Sequence, residues 1–295
     1  IIDIISDRRV TMKFNFTKMH GIGNDYVYVN CMDKELPNPG EISKAVSPRH
    51  FSVGSDGLIM VCASDKADAK MRIFNADGSE AKMCGNGIRC VGKFLYDKGI
   101  VNKTEITVDT LSGIKTLKLN ITDNKVDTVC VDMGKAILEP KLIPVKWDGD
   151  TMINEPVTVM GKEYRLTAVS MGNPHAVCFI DDVDGLDLEK IGPYFENMDI
   201  FPDRVNTEFV RVIDEKTLQM RVWERGSGET FACGTGTCAT VVAACLNGIC
   251  KMDTDVTVHL VGGNLIIRYC SDGTVFMTGK AETAYEGVFE YEYKN

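Results

Sequence analysis

Residues 84–90 read CGNGIRC and residues 233–238 read CGTGTC, so a cysteine stands directly before a glycine-rich turn twice in one chain. The two cysteines are 149 residues apart, and the same offset aligns other features. MRIF at 71–74 falls on MRVW at 220–223, GN at 23–24 falls on GN at 172–173, and Gly99 falls on Gly248. With a slip of one residue, ITVDTLSG at 106–113 falls on VTVHLVGG at 256–263. Features spread along the chain that share a register identify an internal duplication.

Each copy carries the same elements. YVYVN, AVCFI, KMRIF and LQMRVW read as strands. After the first glycine turn, Ile88, Val91 and Leu95 recur at helical spacing before Gly99; after the second, Ala239, Val242 and Leu246 do so before Gly248. GIKTLKL and KVDTVCVDMG read as a strand pair around Asp123 and Asn124. Each half is therefore strand-rich with one principal helix, and that helix starts beside the key cysteine.

A chain of 295 residues is long for one simple core and suits two lobes. Hydrophobic and charged fractions of 44% and 25% are those of a globular protein. A net charge of -9, without a basic run, argues against nucleic acid or an anionic membrane as partner. Apolar runs fall short of the ~20 residues of a spanning helix. The stretch before Met12, residues 1–11, reads as an extension without the pattern of a secretory signal. Eleven scattered cysteines, an odd number, suit reduced thiols, and the expected location is the cytoplasm.

Three readings of the glycine turns compete with an acid/base role. A lone cysteine is most often a small buried hydrophobe, but only Cys84 and Cys233 share a helix start in both copies. GIRCVGKF (87–94) approaches a phosphate loop, yet Phe94 stands where Ser or Thr would hold magnesium. GTGTCA (234–239) fits G-x-G-x-x-A, but ten residues separate it from the strand LQMRVW, which the dinucleotide fingerprint does not allow. Cys84, Cys90, Cys233 and Cys238 lack C-x2-C spacing, and Cys90 and Cys238 point away around their helices, so no metal is expected.

A pair of reactive thiols remains. Unsatisfied N–H groups and the positive dipole end at a helix N-terminus favour thiolate, and the same amides suit a carboxylate. Two such units facing across a pseudo-twofold axis place one thiol on each side of a substrate's α-carbon. One takes the proton, the other returns a proton to the opposite face, and no cofactor is required.

KMHGIGNDYV, FNADGSEAKMCGNGIRC, VSMGNPHAV and ERGSGETFACGTG, together with both cysteines, closely resemble the diaminopimelate epimerase family from about Met12 to the C-terminus. The resemblance implies epimerisation of LL-diaminopimelate to the meso form without pyridoxal phosphate, in lysine and peptidoglycan precursor biosynthesis. It implies Cys84 and Cys233 as the acid/base pair, with His175 and Glu224 tuning the thiols. Substrate contacts are implied for Asn24, Asn75, Gly85, Asn86, Asn173, Asn206, Glu224, Arg225, Gly234 and Thr235. Arg225 can hold a carboxylate bidentately, and the asparagines can serve carboxylates and ammoniums without adding charge. Gly57 departs from the Gln of some members, which leaves that position without a side-chain donor. The resemblance also suggests a homodimer with Tyr285 at its interface.

The expected fold is α/β of α+β character. Two pseudo-symmetric lobes from the duplication are each a mostly antiparallel sheet or barrel wrapped around a central helix. The first lobe is expected over 12–130, with 281–295 returning to it, and the second over 131–280. A proline or hydroxyproline racemase of the same architecture is the nearest rival, although CGNG and ERGSGET favour diaminopimelate. A phenazine-pathway type of isomerase lacks the two cysteines. A small-molecule-binding thiol redox sensor is the non-enzymatic alternative.

Overall fold

A computed structural model describes residues 9–294. The first lobe begins with strands β1 (Arg9–Gly21) and β2 (Asn24–Cys31), helix α1 (Pro39–Val46), and strands β3 (Gly57–Cys62), β4 (Ala69–Asn75) and β5 (Glu80–Ala81). Helix α2 (Gly85–Asp97) follows, then β6 (Glu105–Thr110), β7 (Gly113–Thr122) and β8 (Lys125–Lys135). After β9 (Glu155–Val159), the second lobe repeats the order. It contains β10 (Lys162–Ser170), β11 (Pro174–Phe179), α3 (Leu188–Glu196), β12 (Asn206–Asp214), β13 (Thr217–Glu224) and β14 (Gly228–Thr230). Helix α4 (Gly234–Leu246), β15 (Asp255–Leu260), β16 (Gly263–Tyr269) and β17 (Thr274–Lys280) complete it, and β18 (Glu282–Lys294) ends the chain. Residues 1–8 of the expected extension lie outside the described residues, while Arg9, Val10 and Thr11 pair with β18.

The strands form one continuous 18-stranded sheet. In the second lobe the ladder runs β9, β10, β11, β12, β13, β15, β16, β17. It crosses to the first lobe where β17 pairs with β8, with Thr274 opposite Lys135 and Lys280 opposite Thr128. There it continues β8, β7, β6, β4, β3, β2, β1, β18. The two halves are the same ladder, with β18 beside β1 where the second lobe has β9 beside β10. Pairing is antiparallel except for β2–β3 and β4–β6 in one lobe and their counterparts β11–β12 and β13–β15 in the other.

Each sheet curls around one helix. Helix α2 packs on β1 and β2 and also on β7 and β8, and α4 packs on β10, β11, β12, β16 and β17. Ile88, Val91, Leu95, Ala239 and Val242 are fully buried in the shared core. A helix enclosed by sheet must be apolar around most of its circumference, and CATVVAAC in α4 is. The sequence expected one helix per lobe, but a shorter second one covers each sheet's outer face. Ile42 and Val46 of α1 pack with Val27, Val29, Leu58 and Met60, and Leu188 and Phe195 of α3 pack with Cys178 and Phe209. Strands β2, β3, β11 and β12 are thereby buried on both faces. Gly99 and Gly248 both stop their helices at φ 70, and Asp123 and Asn124 turn β7 into β8 with positive φ at both.

Candidate active site

The duplicated turns place two thiols at equivalent points. Cys84 caps α2 in extended conformation (φ -135, ψ 120), and Gly87 donates its N–H to the sulfur at 3.4 Å. Cys233 caps α4 in the same way (φ -113, ψ 109), with the Gly236 N–H at 3.4 Å. The two helix starts abut. A Cβ on Gly234 would lie 3.6 Å from the Gly85 Cα and 3.2 Å from the Met277 sulfur. Glycine at both positions leaves the first-turn N–H groups that lack helical acceptors uncovered. Asn86 ties the halves together by donating to the Ala232 carbonyl at 3.1 Å.

Around Cys84 the hydrogen-bond partner of the thiol is a neutral amide. Its S–H donates to Asn24 Oδ1 at 3.2 Å. That amide is oriented by its own donation to Asp56 Oδ2 at 2.7 Å, and Arg49 holds Asp56 from the other side at 2.8 Å. Asn75, at the end of β4, donates to Ser79 Oγ at 3.0 Å and pairs in register with Gly57. No donor can be built at Gly57, because its Cβ would fall 2.0 Å from the Phe74 carbonyl.

Around Cys233 the groups are charged. Burial raises the Glu224 carboxyl above its ordinary range, against a hydrogen bond from Thr230. Asn173 donates to Thr235 Oγ1 at 3.3 Å, and Thr235 Oγ1 lies 3.6 Å from the Cys233 sulfur. Among the described residues His175 hydrogen-bonds to Glu208 and Asn173 and to neither thiol; it is wholly buried, with Nε2 3.1 Å from Asn173 Oδ1. Asn206 and Arg225 form a tie between loops. The Arg225 N–H donates to Asn206 Oδ1 at 3.0 Å, Asn206 donates to the Pro174 carbonyl at 2.8 Å, and the Arg225 guanidinium donates to the Asp203 carbonyl at 2.8 Å. Tyr285 lies apart on β18, where it donates to the Val53 carbonyl at 3.2 Å.

The helix termini were expected to favour thiolate, and the structure corrects the balance. Burial pushes the Cys84 thiol up, opposed by the N–H groups of Gly87 and Asn86 and by the Arg89 charge. Burial pushes Cys233 up further, and the Glu224 and Glu208 carboxylates add to it. Desolvation exceeds the helix-end contribution in both half-sites.

Sequence reading missed Glu208, Asp56 and Arg89. Arg89 is fully buried inside α2, donating to the Gly85 carbonyl at 3.1 Å and the Lys280 carbonyl at 3.3 Å. Glu208 is fully buried 2.7 Å from His175 Nδ1. The offset of 149 does not single it out, since Glu208 falls on Ile59 and most positions differ between the halves.

Residues 16–139 and 167–284 match the family model described as diaminopimelate epimerase, one segment in each lobe. A diaminopimelate epimerase of Acetivibrio thermocellus is 56% identical over 273 residues, covering 92% of this chain and 97% of that protein. One of Agathobacter rectalis is 57% identical over 280 residues, covering 92% and 98%. Among solved structures, a hydroxyproline epimerase of Agrobacterium vitis shares the fold with TM-score 0.64, covering 96% of this chain and 92% of that one at 15% identity.

Proposed function

Since the chain belongs to the diaminopimelate epimerase family, we propose that its reaction, the epimerisation of LL-diaminopimelate to the meso form, is carried by Cys84 and Cys233 as a two-thiol acid/base pair. One observation carries this reading. The N-termini of α2 and α4 meet at Gly85 and Gly234, and each is capped by a thiol whose sulfur accepts an N–H of its own first turn. A substrate α-carbon between those termini has a sulfur on each face. The proline and hydroxyproline reading is not favoured, because relatives above 50% identity are diaminopimelate epimerases while the proline-type likeness rests on fold at 15%.

The thiolate on one face takes the α-proton and becomes a thiol. The carbanion accepts the proton of the opposite S–H, which leaves a thiolate there, so the product state carries the charge on the other sulfur. First-turn amides of Gly85, Asn86, Gly234 and Thr235 suit the α-carboxylate, whose charge grows as the proton leaves. Glu224 faces the α-ammonium, and Arg225, with Asn24, Asn75, Asn173 and Asn206, suits the remaining carboxylate and ammonium groups. His175 acts at one remove, through Asn173 and Thr235. A homodimer with Tyr285 at its interface and a cytoplasmic location belong to the same reading; no helix among the described residues is long and apolar enough to cross a membrane.

Purified protein given pure LL-diaminopimelate should form the meso isomer to equilibrium, unaffected by chelator or hydroxylamine, and should leave L-proline unchanged. Racemisation of proline, or activity lost to chelator and restored by metal, contradicts the reading.

A further inference from the structure

The duplication lets the two half-sites be compared residue by residue. Offset by 149, His175 stands where the first lobe has Tyr26, and Glu208 stands where it has Ile59. The equivalence holds in space. A Cβ on Gly87 would meet Ile59 Cδ1 at 2.8 Å and Cys84 Cβ at 3.5 Å, and a Cβ on Gly236 would meet Glu208 Oε1 at 2.4 Å and the Cys233 sulfur at 3.2 Å. A carboxylate thus lies over Gly236, beside the Cys233 turn, in the place that a methyl group occupies over Gly87, beside the Cys84 turn. The fold does not need charge there, since the first lobe fills the position with Ile59, and a buried ion pair is seldom more stable than a hydrocarbon of similar size.

We propose that Glu208 is a positioning residue for the Cys233 half of the site: with His175 it fixes a one-way run of hydrogen bonds onto the Cys233 sulfur and sets that thiol apart from Cys84. The inference rests on the two-thiol reading above. Its geometry is directional. Asn173 Oδ1 can only accept, so the His175 Nε2 at 3.1 Å carries a proton. Asn173 then donates to Thr235 Oγ1 at 3.3 Å, and the Thr235 hydroxyl proton is left for the Cys233 sulfur at 3.6 Å. His175 Nδ1 meets Glu208 Oε1 at 2.7 Å, where the pair shares one proton whichever partner holds it. Among the described residues Glu208 Oε2 is buried without a hydrogen-bond partner, so His175 is the side chain this carboxylate holds. Cys84 has the reverse polarity, since it donates to Asn24 Oδ1. The titratable groups facing Glu208 are His175 from β11, Glu224 beyond it on β13, and Cys233 at the start of α4.

The test is Glu208→Gln, which keeps a hydrogen bond to His175 and removes the carboxylate, beside Glu208→Ile, which copies the first lobe. Alkylation by iodoacetamide across a pH series, read by peptide mass for each cysteine, reports the two thiols separately. In Glu208→Gln the Cys233 profile should shift along the pH axis while the Cys84 profile stays in place. The kcat should fall ~10-fold or more with KM within ~2-fold, as for a group acting on a proton-transfer partner, and Glu208→Ile should lose as much. Both thiol profiles unmoved in folded Glu208→Gln overturn the proposal even if kcat falls, because packing alone would then explain the loss. Wild-type kcat in that variant overturns it too. Nitrogen NMR of His175 in the unsubstituted protein is independent of variant folding; protonated Nε2 supports the proposal and unprotonated Nε2 overturns it. Full activity in Cys233→Ala would instead defeat the two-thiol reading itself.

Discussion

Cys84 and Cys233 are each held by a helix N-terminus that favours charge and by burial that opposes it, and burial prevails at both. The consequence is a pH dependence with a definite sign. The active free enzyme carries one thiolate and one thiol, a state lost as pH falls below the lower thiol pKa. With both thiols raised, kcat/KM for diaminopimelate should climb about tenfold per unit through neutrality and level off only above the ordinary thiol value of about 8.5. A plateau already reached at pH 7 would show that the helix ends outweigh burial after all. The two sulfurs also differ in company: Glu224 acts on both, while Asn24 and Arg89 are near Cys84 and Glu208 is near Cys233. A symmetric scaffold therefore carries an asymmetric pair, which suits a substrate with different groups on either side of the reacting carbon.

At the scale of elements, the close meeting of α2 and α4 sets where both sulfurs stand. Gly234→Ala tests it. The new methyl would press on the Met277 sulfur at 3.2 Å and would sit in ordinary contact with Gly85 at 3.6 Å. Overpacking of ~1–3 kcal/mol is offset in part by ~1 kcal/mol of better helix propensity. Thermal stability should therefore change little, while kcat should fall ~10-fold as the Cys233 turn and Met277 adjust to the methyl, since small displacements of reacting groups are costly. Wild-type kcat in the variant would mean the spacing is not critical. These two helices were legible in the sequence because their apolar spacing, glycine stops and preceding cysteines recur in register. Helices α1 and α3 were not, because PGEISKAV and LEKIGPYFE are only 8 and 9 residues long, too few turns to set a period apart from loop, and their prolines read as loop punctuation. In the site, Cys84, Cys233, Asn24 and Asn173 could be read from repetition and resemblance. Glu208 could not be found by likeness between the halves, because it is where they differ.

For the whole molecule, one ladder of strands joins both lobes across β17 and β8, and each lobe brings one thiol to the centre. The outer edge of the first lobe is β18, where Tyr285 packs edge-on to Phe16 at 6.0 Å yet stays 46% exposed, with Val288 exposed nearby. In the proposed homodimer that face is covered. Tyr285→Ala should sediment as a monomer and melt at lower temperature, while a wild-type protein that sediments as a monomer would remove the proposal. The central claim, one thiol for each face of the substrate, is tested most directly by Cys84→Ala and Cys233→Ala in deuterium oxide. Each variant should lose epimerisation by ~10²–10⁴-fold or more, and each should still exchange the α-proton of the one isomer its remaining sulfur faces. Opposite isomer preferences in the two variants are the predicted result; exchange of the same isomer by both, or epimerisation near the wild-type rate in either, contradicts the account.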